Sequence, residues 1–223
     1  MEPVGWREGQ MSGAPEFDTA FREKLRDLFL WRRDVRQFRR DPIPDEVLDE
    51  LLTTATLAPS VGLSEPWRFV LVEDVHRRAV IRSSFLKVNA DALAGYCGER
   101  ARLYSSLKLE GLDQAPLHLA VFCDEHTSQG HGLGQRTMPE TLSYSVVASI
   151  QTLWLAARAN GIGLGWVSIL DPLEVKKTLE VQDWWSLVAY LCLGYPEAES
   201  PQPKLAEVGW EDRRKMAEFV IRR

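Results

Sequence analysis

The sequence predicts a single β-sheet enclosed between layers of helices. Four short apolar segments have the length and composition of strands, and they alternate with longer segments in which apolar residues recur at helical spacing. No glycine-rich turn joins a first strand to a first helix, which argues against a standard dinucleotide-binding fold.

Composition narrows the class of protein. Of the 223 residues, 45% are hydrophobic and 26% charged, which is typical of a soluble globular protein. This length suits a flexible leader over 1–16 and one domain over 17–223 with a C-terminal arm from about residue 200. The three cysteines form no CxxC pair, which argues against a disulfide framework or structural zinc and fits a reducing cytoplasm. The net charge of −5 argues against general nucleic-acid affinity, and no segment resembles a signal-peptide core or a membrane span.

Helical spacing of apolar residues predicts most of the regular structure. The second helix begins at Pro44 with acidic residues in its first turn, where the helix dipole favours negative charge. It should end at Ala58, because the residue before a proline is pushed out of helical geometry. The last helix is apolar almost all round, which indicates deep burial or a subunit interface. Helices are predicted over 19–32, 44–58, 76–94, 98–108 and 143–160.

Short apolar segments predict four strands. The second is nearly all apolar and should therefore be covered on both faces. The polar, glycine-containing segment 126–139 is predicted to be a loop or lid, and the basic tail 201–223 to leave the body. Strands are predicted over 67–72, 117–123, 164–170 and 187–193.

An arginine-rich turn lies between the first two helices of an otherwise acidic chain. Arginine forms forked, charge-assisted hydrogen bonds with phosphate, although a solvated basic turn is an alternative interpretation. The negative net charge argues against a nucleic-acid patch. Asp34 stands within this turn and either neutralises the arginines or serves as a base or hydrogen-bond acceptor at a bound ligand. The arginines are Arg32, Arg33, Arg36, Arg39 and Arg40.

Alternating glycines mark a second candidate segment. Gly161, Gly163 and Gly165 follow a helix and precede a strand, which is the reverse of the order in a dinucleotide-binding turn. They allow the backbone to approach either a flat ligand or the helix that bears Trp154. Ser168 follows without an adjacent base, so a serine nucleophile is not favoured.

Two loops are further candidates for ligand contacts. The segment 58–67 links a helix end to a strand, and loops between rigid elements often carry binding residues. The second loop contains His126 and His131, which lack a third ligand at metal spacing. The sequence therefore predicts no metal site there.

Taken in order, several motifs resemble the nitroreductase family of FMN enzymes. They are RRDVR, APSVG, EPWRFVLV, QTLWLAARANGIGLGW and LCLGYP, and the likeness spans about 28–196. The resemblance implies an α+β fold with a central, mainly antiparallel sheet flanked by helices. It also implies an intertwined homodimer that binds FMN at its interface.

Two features are similar to the flavin-fragmenting branch of this family. Asp34 stands where ordinary members carry serine, and ordinary members do not share the stretch SLKLEGL. The likeness implies O2-dependent cleavage of reduced FMN to 5,6-dimethylbenzimidazole and erythrose 4-phosphate for cobalamin biosynthesis, with a separate NAD(P)H-flavin reductase supplying the reduced FMN. The alternatives are an FMN-dependent NAD(P)H nitroreductase or quinone reductase and a flavin-binding protein without activity. Leu63 and Glu65 depart from the family's asparagine and glutamine, which favours a different hold on the polar edge of the flavin.

The resemblance also assigns roles to individual residues. Arg32 and Arg36 are expected to hold the FMN phosphate and ribityl chain, and Ser60 to reach the flavin from the neighbouring subunit. Asp34 is expected to transfer protons during cleavage, and Ser168 to hydrogen-bond the reduced ring near N5. The expected flavin contacts are Arg32, Arg33, Asp34, Val35, Arg36, Ser60, the cavity-lining Leu109, Gly165, Ser168 and, as an additional phosphate ligand, Arg213.

Overall fold

The computed structural model describes residues 13–107 and 111–223. The predicted helices and strands are confirmed, with their ends displaced by a few residues. The helices are α1 (Thr19–Trp31), α2 (Asp45–Ala55), α3 (Val75–Ala94), α4 (Gly98–Ser106), α5 (Gly111–Gln114), α6 (Thr141–Ala159), α7 (Pro172–Leu179) and α8 (Lys204–Glu207). The strands are β1 (Trp67–Leu71), β2 (Leu117–Asp124), β3 (Gly163–Val167) and β4 (Trp185–Gly194). None of the helices in the described residues combines the length and apolar character that crossing a membrane requires.

The four strands form one antiparallel sheet with the order β1-β2-β4-β3. The central strand β2 is buried along almost its whole length, which confirms that both of its faces are covered. β3 pairs with β4 on one side, so its other side is an edge of the sheet. An edge strand presents unpaired N–H and C=O groups, which another segment of the chain must satisfy.

Helices cover the sheet on both faces. Alternate residues of the strands pack with α2 and α6 in one apolar cluster and with α3 and α7 in the other. Helix α6 contributes the fully buried Val146, Ile150 and Leu153 to the first cluster, which confirms the predicted deep burial of this helix. These two layers hold β3 and the start of the chain that lies against it in fixed positions.

The observed fold differs from the prediction at the end of α2 and in three helices that were not predicted, which are α5, α7 and α8. Helix α2 ends at Ala55 rather than Ala58, because Thr56 and the next two residues donate to carbonyls three residues back and so tighten into a turn. Helix α7 was not predicted, although its start has clear signals. Asp171 accepts hydrogen bonds from two N–H groups of the first turn, and Pro172 occupies the first helical position.

A buried histidine in the sheet makes stability depend on pH. His118 is 2% exposed, and its Nδ1 lies 2.9 Å from the hydroxyl of Tyr190. Burial, reinforced by the nearby Arg78 cation, lowers the pKa of His118 from 6.5 to about 4. Between these values the unfolded chain binds more protons than the folded chain, so stability decreases as the pH falls through 6.5.

We expect the free energy of unfolding to fall by roughly 2 kcal/mol from this group between pH 7 and pH 5. Urea unfolding at the two pH values measures this difference in the free energy of unfolding. In His118→Gln the contribution of roughly 2 kcal/mol from the histidine should be missing from the difference. His76→Gln, at an exposed histidine, is the matched control for the substitution itself. Equal pH dependence in wild type and His118→Gln would contradict the assignment.

Candidate active site

The arginine-rich turn, residues 32–36, lies along the free edge of β3. Asp34 pairs with Leu164 in a parallel bridge, and the N–H of Val35 donates to the Leu164 carbonyl at 3.0 Å. Phe38, which is 1% exposed, anchors the chain just after the turn in the core. Every residue of the turn is half-buried. The turn is therefore an ordered part of the sheet edge and not a solvated loop.

Two glycines of β3 allow this close approach. A Cβ atom on Gly165 would lie 2.2 Å from the carbonyl oxygen of Val35, and one on Gly163 would lie 2.7 Å from the Val35 side chain. The sequence suggested a flat ligand or the Trp154 helix as the neighbour of these glycines. The nearest neighbour in the structure is instead the arginine-rich turn, so the glycines place Asp34 and the arginines against the strand.

Asp34 is held by one bond to each carboxylate oxygen. The N–H of Trp166 donates to Oδ1 at 2.9 Å, and Nε of Arg36 donates to Oδ2 at 3.2 Å. The side chain keeps 37% of its surface exposed. Asp34 thus satisfies an N–H of the sheet edge, pairs with one arginine, and still has a face open to a ligand.

Trp154 of α6 supports the turn from beneath. Its indole N–H donates to the carbonyl of Arg33 at 3.1 Å, and the guanidinium carbon of Arg32 lies 4.7 Å from the centre of its ring. Its ring also packs beside that of Trp166, with centroids 6.4 Å apart. Sequence reasoning treated Trp154 only as a core residue, because nothing in the sequence shows which carbonyl its N–H meets.

The C-terminal segment returns to this turn, which corrects the prediction that the tail leaves the body at residue 201. Arg33 donates to the carbonyls of Arg32, at 2.6 Å, and of Pro201. Arg158 of α6 pairs with Glu199 through both terminal nitrogens of its guanidinium group. These bonds hold residues 199–201 beside the turn. Sequence reasoning could not find them, because charge pairing between distant segments has no local sequence signal.

Two of the cavities beside the turn are lined by both Asp34 and Arg36. The larger, of about 310 Å³, lies between the turn, the end of α4 and the returning tail, and Asp34 and Arg36 open onto it. The smaller, of about 150 Å³, lies on the side of Arg32 and is strongly basic. Its described lining residues are Arg32, Arg33, Asp34, Arg36, Pro203, Lys204, Leu205 and Arg213. Sequence reasoning missed Lys204, which has no distinguishing neighbours in the sequence.

Electrostatics favour an anion in the smaller cavity. Burial lowers the pKa of Arg32, and the nearby Arg213 cation lowers it further, while Asp34 opposes the change. The pKa of Arg33 is lowered by burial and then by the Arg32 and Arg213 cations. Cations that lie this close repel one another, and a bound phosphate would relieve the repulsion.

The other predicted site residues lie elsewhere or outside the described structure. Ser168 is exposed just beyond the end of β3. The N–H of Val61, next to Ser60, donates to Ser145 Oγ near the start of α6, whereas the arginine-rich turn contacts Trp154 nine residues later. At 1.5 Å per residue these contacts are separated by roughly 13 Å along the helix, so Ser60 is not brought to the arginines within one chain. Leu109 lies outside the described residues.

The loop that carries Ser60 is held in an uncommon backbone conformation. Leu63 and Glu65 have φ angles of 56° and 42°, in the left-handed region that favours glycine. The side-chain amide of Gln129 donates to the Leu63 carbonyl at 2.9 Å and to the Glu65 carboxylate at 2.7 Å. At both departures from the family pattern, a neighbouring loop therefore fixes the local geometry.

Comparison with known proteins gives the same family for sequence and structure. The Nitroreductase family model matches residues 29–195. A 5,6-dimethylbenzimidazole synthase of Rhodospirillum rubrum is 59% identical over 92% of this chain and 97% of its own length. A protein of the same name from Rhodobacter capsulatus is 46% identical over 88% and 95%.

A solved structure agrees with these sequence matches. The structure of oxidised iodotyrosine deiodinase bound to FMN and 3-iodo-L-tyrosine superposes with a TM-score of 0.70 at 25% identity, covering 89% of this chain and 97% of that one. The family model and the near-complete alignments cover the arginine-rich turn, the central sheet and the glycine-bearing strand β3. The chain belongs to the nitroreductase family.

Proposed function

We propose that this protein is a 5,6-dimethylbenzimidazole synthase, which uses O2 to fragment reduced FMN into 5,6-dimethylbenzimidazole and erythrose 4-phosphate for cobalamin biosynthesis. The observation that carries the proposal is the 59% identity with a protein of that name along nearly the full length of both chains. Asp34, which stands where ordinary members of the family carry serine, lines the larger cavity.

The residues around the turn suit FMN. The smaller cavity offers cations to a terminal phosphate, and the larger cavity shares Arg33, Asp34, Arg36 and Lys204 with it. We assign the phosphate and ribityl chain to Arg32 and Arg36, with Arg213 as a further phosphate ligand. Arg33 and Val35 are assigned to the cavity wall beside the flavin, which the backbone of the turn forms. Forked guanidinium groups match phosphate oxygens, and their repulsion in the free protein favours anion binding.

Asp34 is the residue that we assign to proton transfer. Its carboxylate is fixed by Trp166 and Arg36 and keeps an open face. A carboxylate positioned in this way is competent to accept and return protons at the ribityl end of a bound flavin. Ser168 and Gly165, on the same strand and its end, are assigned to the side of the ring, where the Ser168 hydroxyl would hydrogen-bond the reduced flavin near N5. Reduced FMN supplies the electrons and O2 is the oxidant.

A second copy of the chain completes the site in this proposal. Ser60 is separated from the arginines along α6, so it would contact the same flavin only from the partner of a homodimer. Helix α1 supports this arrangement, because it has no buried residue although Phe21, Phe29 and Leu30 lie on it. An apolar helix surface of this kind is typical of a subunit interface. Leu109 is retained as a cavity-lining residue of the proposal.

The proposal includes a separate NAD(P)H-flavin reductase as the source of reduced FMN. Reduced flavin is in this proposal a diffusible substrate that arrives from that enzyme.

The test is one anaerobic-to-aerobic experiment. Purified protein is mixed with chemically reduced FMN, air is admitted, and the products are separated by chromatography. We expect 5,6-dimethylbenzimidazole to appear in proportion to the protein, and the same mixture kept anaerobic is the control. Recovery of all flavin as oxidised FMN would reject the proposal, and reduction of nitroaromatics or quinones with NAD(P)H would then be the activity to assay.

A further inference from the structure

An aromatic cluster joins the C-terminal segment to α4 and to the short connection before it. The rings of Tyr96 and Tyr104 stack with centroids 4.9 Å apart, and Trp210 packs edge-on against Tyr96 at 5.6 Å. Arg100 lies over the Trp210 ring at 5.0 Å and donates to the Trp210 carbonyl at 3.1 Å. Aromatic pairs contribute beyond their buried area, so this contact anchors the tail at a defined point. We call Tyr96, Arg100, Tyr104 and Trp210 the aromatic clasp.

In the sequence, Trp210 lies between the two tail cations that line the smaller cavity, Lys204 and Arg213. The N–H of Trp210 donates to the Leu205 carbonyl at 2.8 Å, which closes the turn directly after α8. Lys204 begins that helix, and Arg213 follows Trp210 by three residues. Both side chains line the smaller cavity. The position of Trp210 therefore sets the position of both cations relative to the arginine-rich turn.

Charge alone would not keep the tail there. The described lining of the smaller cavity includes five cationic side chains and a single carboxylate, Asp34, which is already paired with Arg36. Lys204 is partly neutralised by Glu207, at 3.1 Å, whereas Arg213 forms no ion pair among the described residues. Repulsion from Arg32 and Arg33 acts against the approach of Arg213. The bonds of Arg33 and Arg158 hold the tail at residues 199–201. Farther along the tail, the aromatic clasp is the contact outside the cavity that holds the segment leading to Arg213.

We propose that Trp210 is a positioning residue for phosphate recognition: it holds Lys204 and Arg213 at the arginine-rich turn, so that the protein binds a flavin with a terminal phosphate in preference to riboflavin. This inference rests on the proposed function for the identity of the ligand. It assigns selectivity for the phosphate to a residue that does not itself contact the phosphate.

The test compares binding of oxidised FMN and riboflavin, followed by flavin fluorescence in the full-length protein. Because Trp210→Ala releases two charge-assisted contacts, we expect the Kd for FMN to rise by about 10- to 100-fold while that for riboflavin stays within about twofold. The FMN affinity of the variant should also depend less steeply on NaCl concentration. Trp210→Phe, which keeps an aromatic wedge, should restore most of the FMN affinity. Trp184→Ala, a partly exposed tryptophan outside the clasp, is the matched control and should bind both flavins as wild type does.

A double-mutant cycle keeps the test decisive even if Trp210→Ala is unstable. Arg213→Gln removes one exposed cation without disturbing packing, and it should weaken FMN binding but not riboflavin binding. In the Trp210→Ala background Arg213→Gln should have little further effect, because the clasp that positions Arg213 is already lost. In the Trp210→Phe background, which keeps an aromatic ring in the clasp, Arg213→Gln should weaken FMN binding about as much as it does in the wild type. Unchanged FMN binding in both single variants, or an equal loss of both flavins, would overturn the proposal.

The binding assay separates this inference from the proposed function. A wild-type protein that prefers FMN to riboflavin but makes no 5,6-dimethylbenzimidazole would reject the function and leave the inference standing. A wild-type protein that forms the product but binds both flavins equally would overturn the inference alone.

Discussion

Asp34→Asn should greatly slow the formation of 5,6-dimethylbenzimidazole while leaving FMN bound. A positioned general base typically contributes about 10²- to 10⁴-fold, so product formation should fall by about that factor. The asparagine can still accept the Trp166 N–H, so the turn should keep its place on β3. Removing a negative charge from a basic cavity favours an anionic ligand, so FMN affinity should be equal or tighter. Single-turnover product analysis and flavin titration measure the two quantities separately.

Comparison variants separate the proposed proton transfer from simple damage to the site. Ser168→Ala should slow cleavage and raise hydrogen peroxide release, because it removes a proposed hydrogen bond to the ring but no base. Asp41→Asn removes an exposed carboxylate that also pairs with an arginine, Arg39, and should retain full activity. Product formation by Asp34→Asn at the wild-type rate would show that its carboxylate has no role in proton transfer. Loss of FMN binding in that variant would instead identify Asp34 as a structural residue.

Gly165→Ala should displace the whole arginine-rich turn. The new Cβ would lie 2.2 Å from the Val35 carbonyl oxygen, a contact that only movement of the backbone can relieve. Overpacking of this kind typically costs about 1–3 kcal/mol in the free energy of unfolding. If displacement of the arginines and Asp34 costs a similar free energy in flavin binding, flavin affinity should fall by about 10- to 100-fold. Urea unfolding and flavin titration check the two expectations.

The neighbouring glycine provides a matched comparison. Gly163→Ala meets the Val35 side chain at 2.7 Å rather than its backbone, so Val35→Ala should partly restore stability in the Gly163→Ala background. The same second change should not rescue Gly165→Ala, because the Val35 carbonyl remains. Rescue of both glycine variants by Val35→Ala would contradict the steric explanation.

Regular structure was largely predictable because its signals are local. Helix α6 has an apolar pattern that continues for five turns, and β2 is a nearly all-apolar run that ends at Asp124. Helix α7 could also have been found from Asp171 and Pro172, which form a standard helix start. The end of α2 was misplaced because a tightened last turn depends on the geometry of its hydrogen bonds, which a residue pattern does not show.

The candidate site was only partly predictable. The arginine-rich turn and Asp34 stand out in the sequence, because several arginines and one carboxylate fall together in an acidic chain. The residues that support them do not stand out. Trp154 contacts the turn from more than a hundred positions away, and Lys204 and Arg213 reach it only because the tail folds back.

The sequence by itself determined the layered α+β architecture and the residues of the turn, because periodicity, composition and motif order are properties of neighbouring residues. Only the tertiary structure decided what the alternating glycines serve. They provide the space into which Val35 fits, and steric contact between segments separated by some 130 residues is set by how the layers pack. The aromatic clasp has the same physical origin. Trp210 acts on the site through the distance between packed segments, and that distance is a property of the folded chain alone.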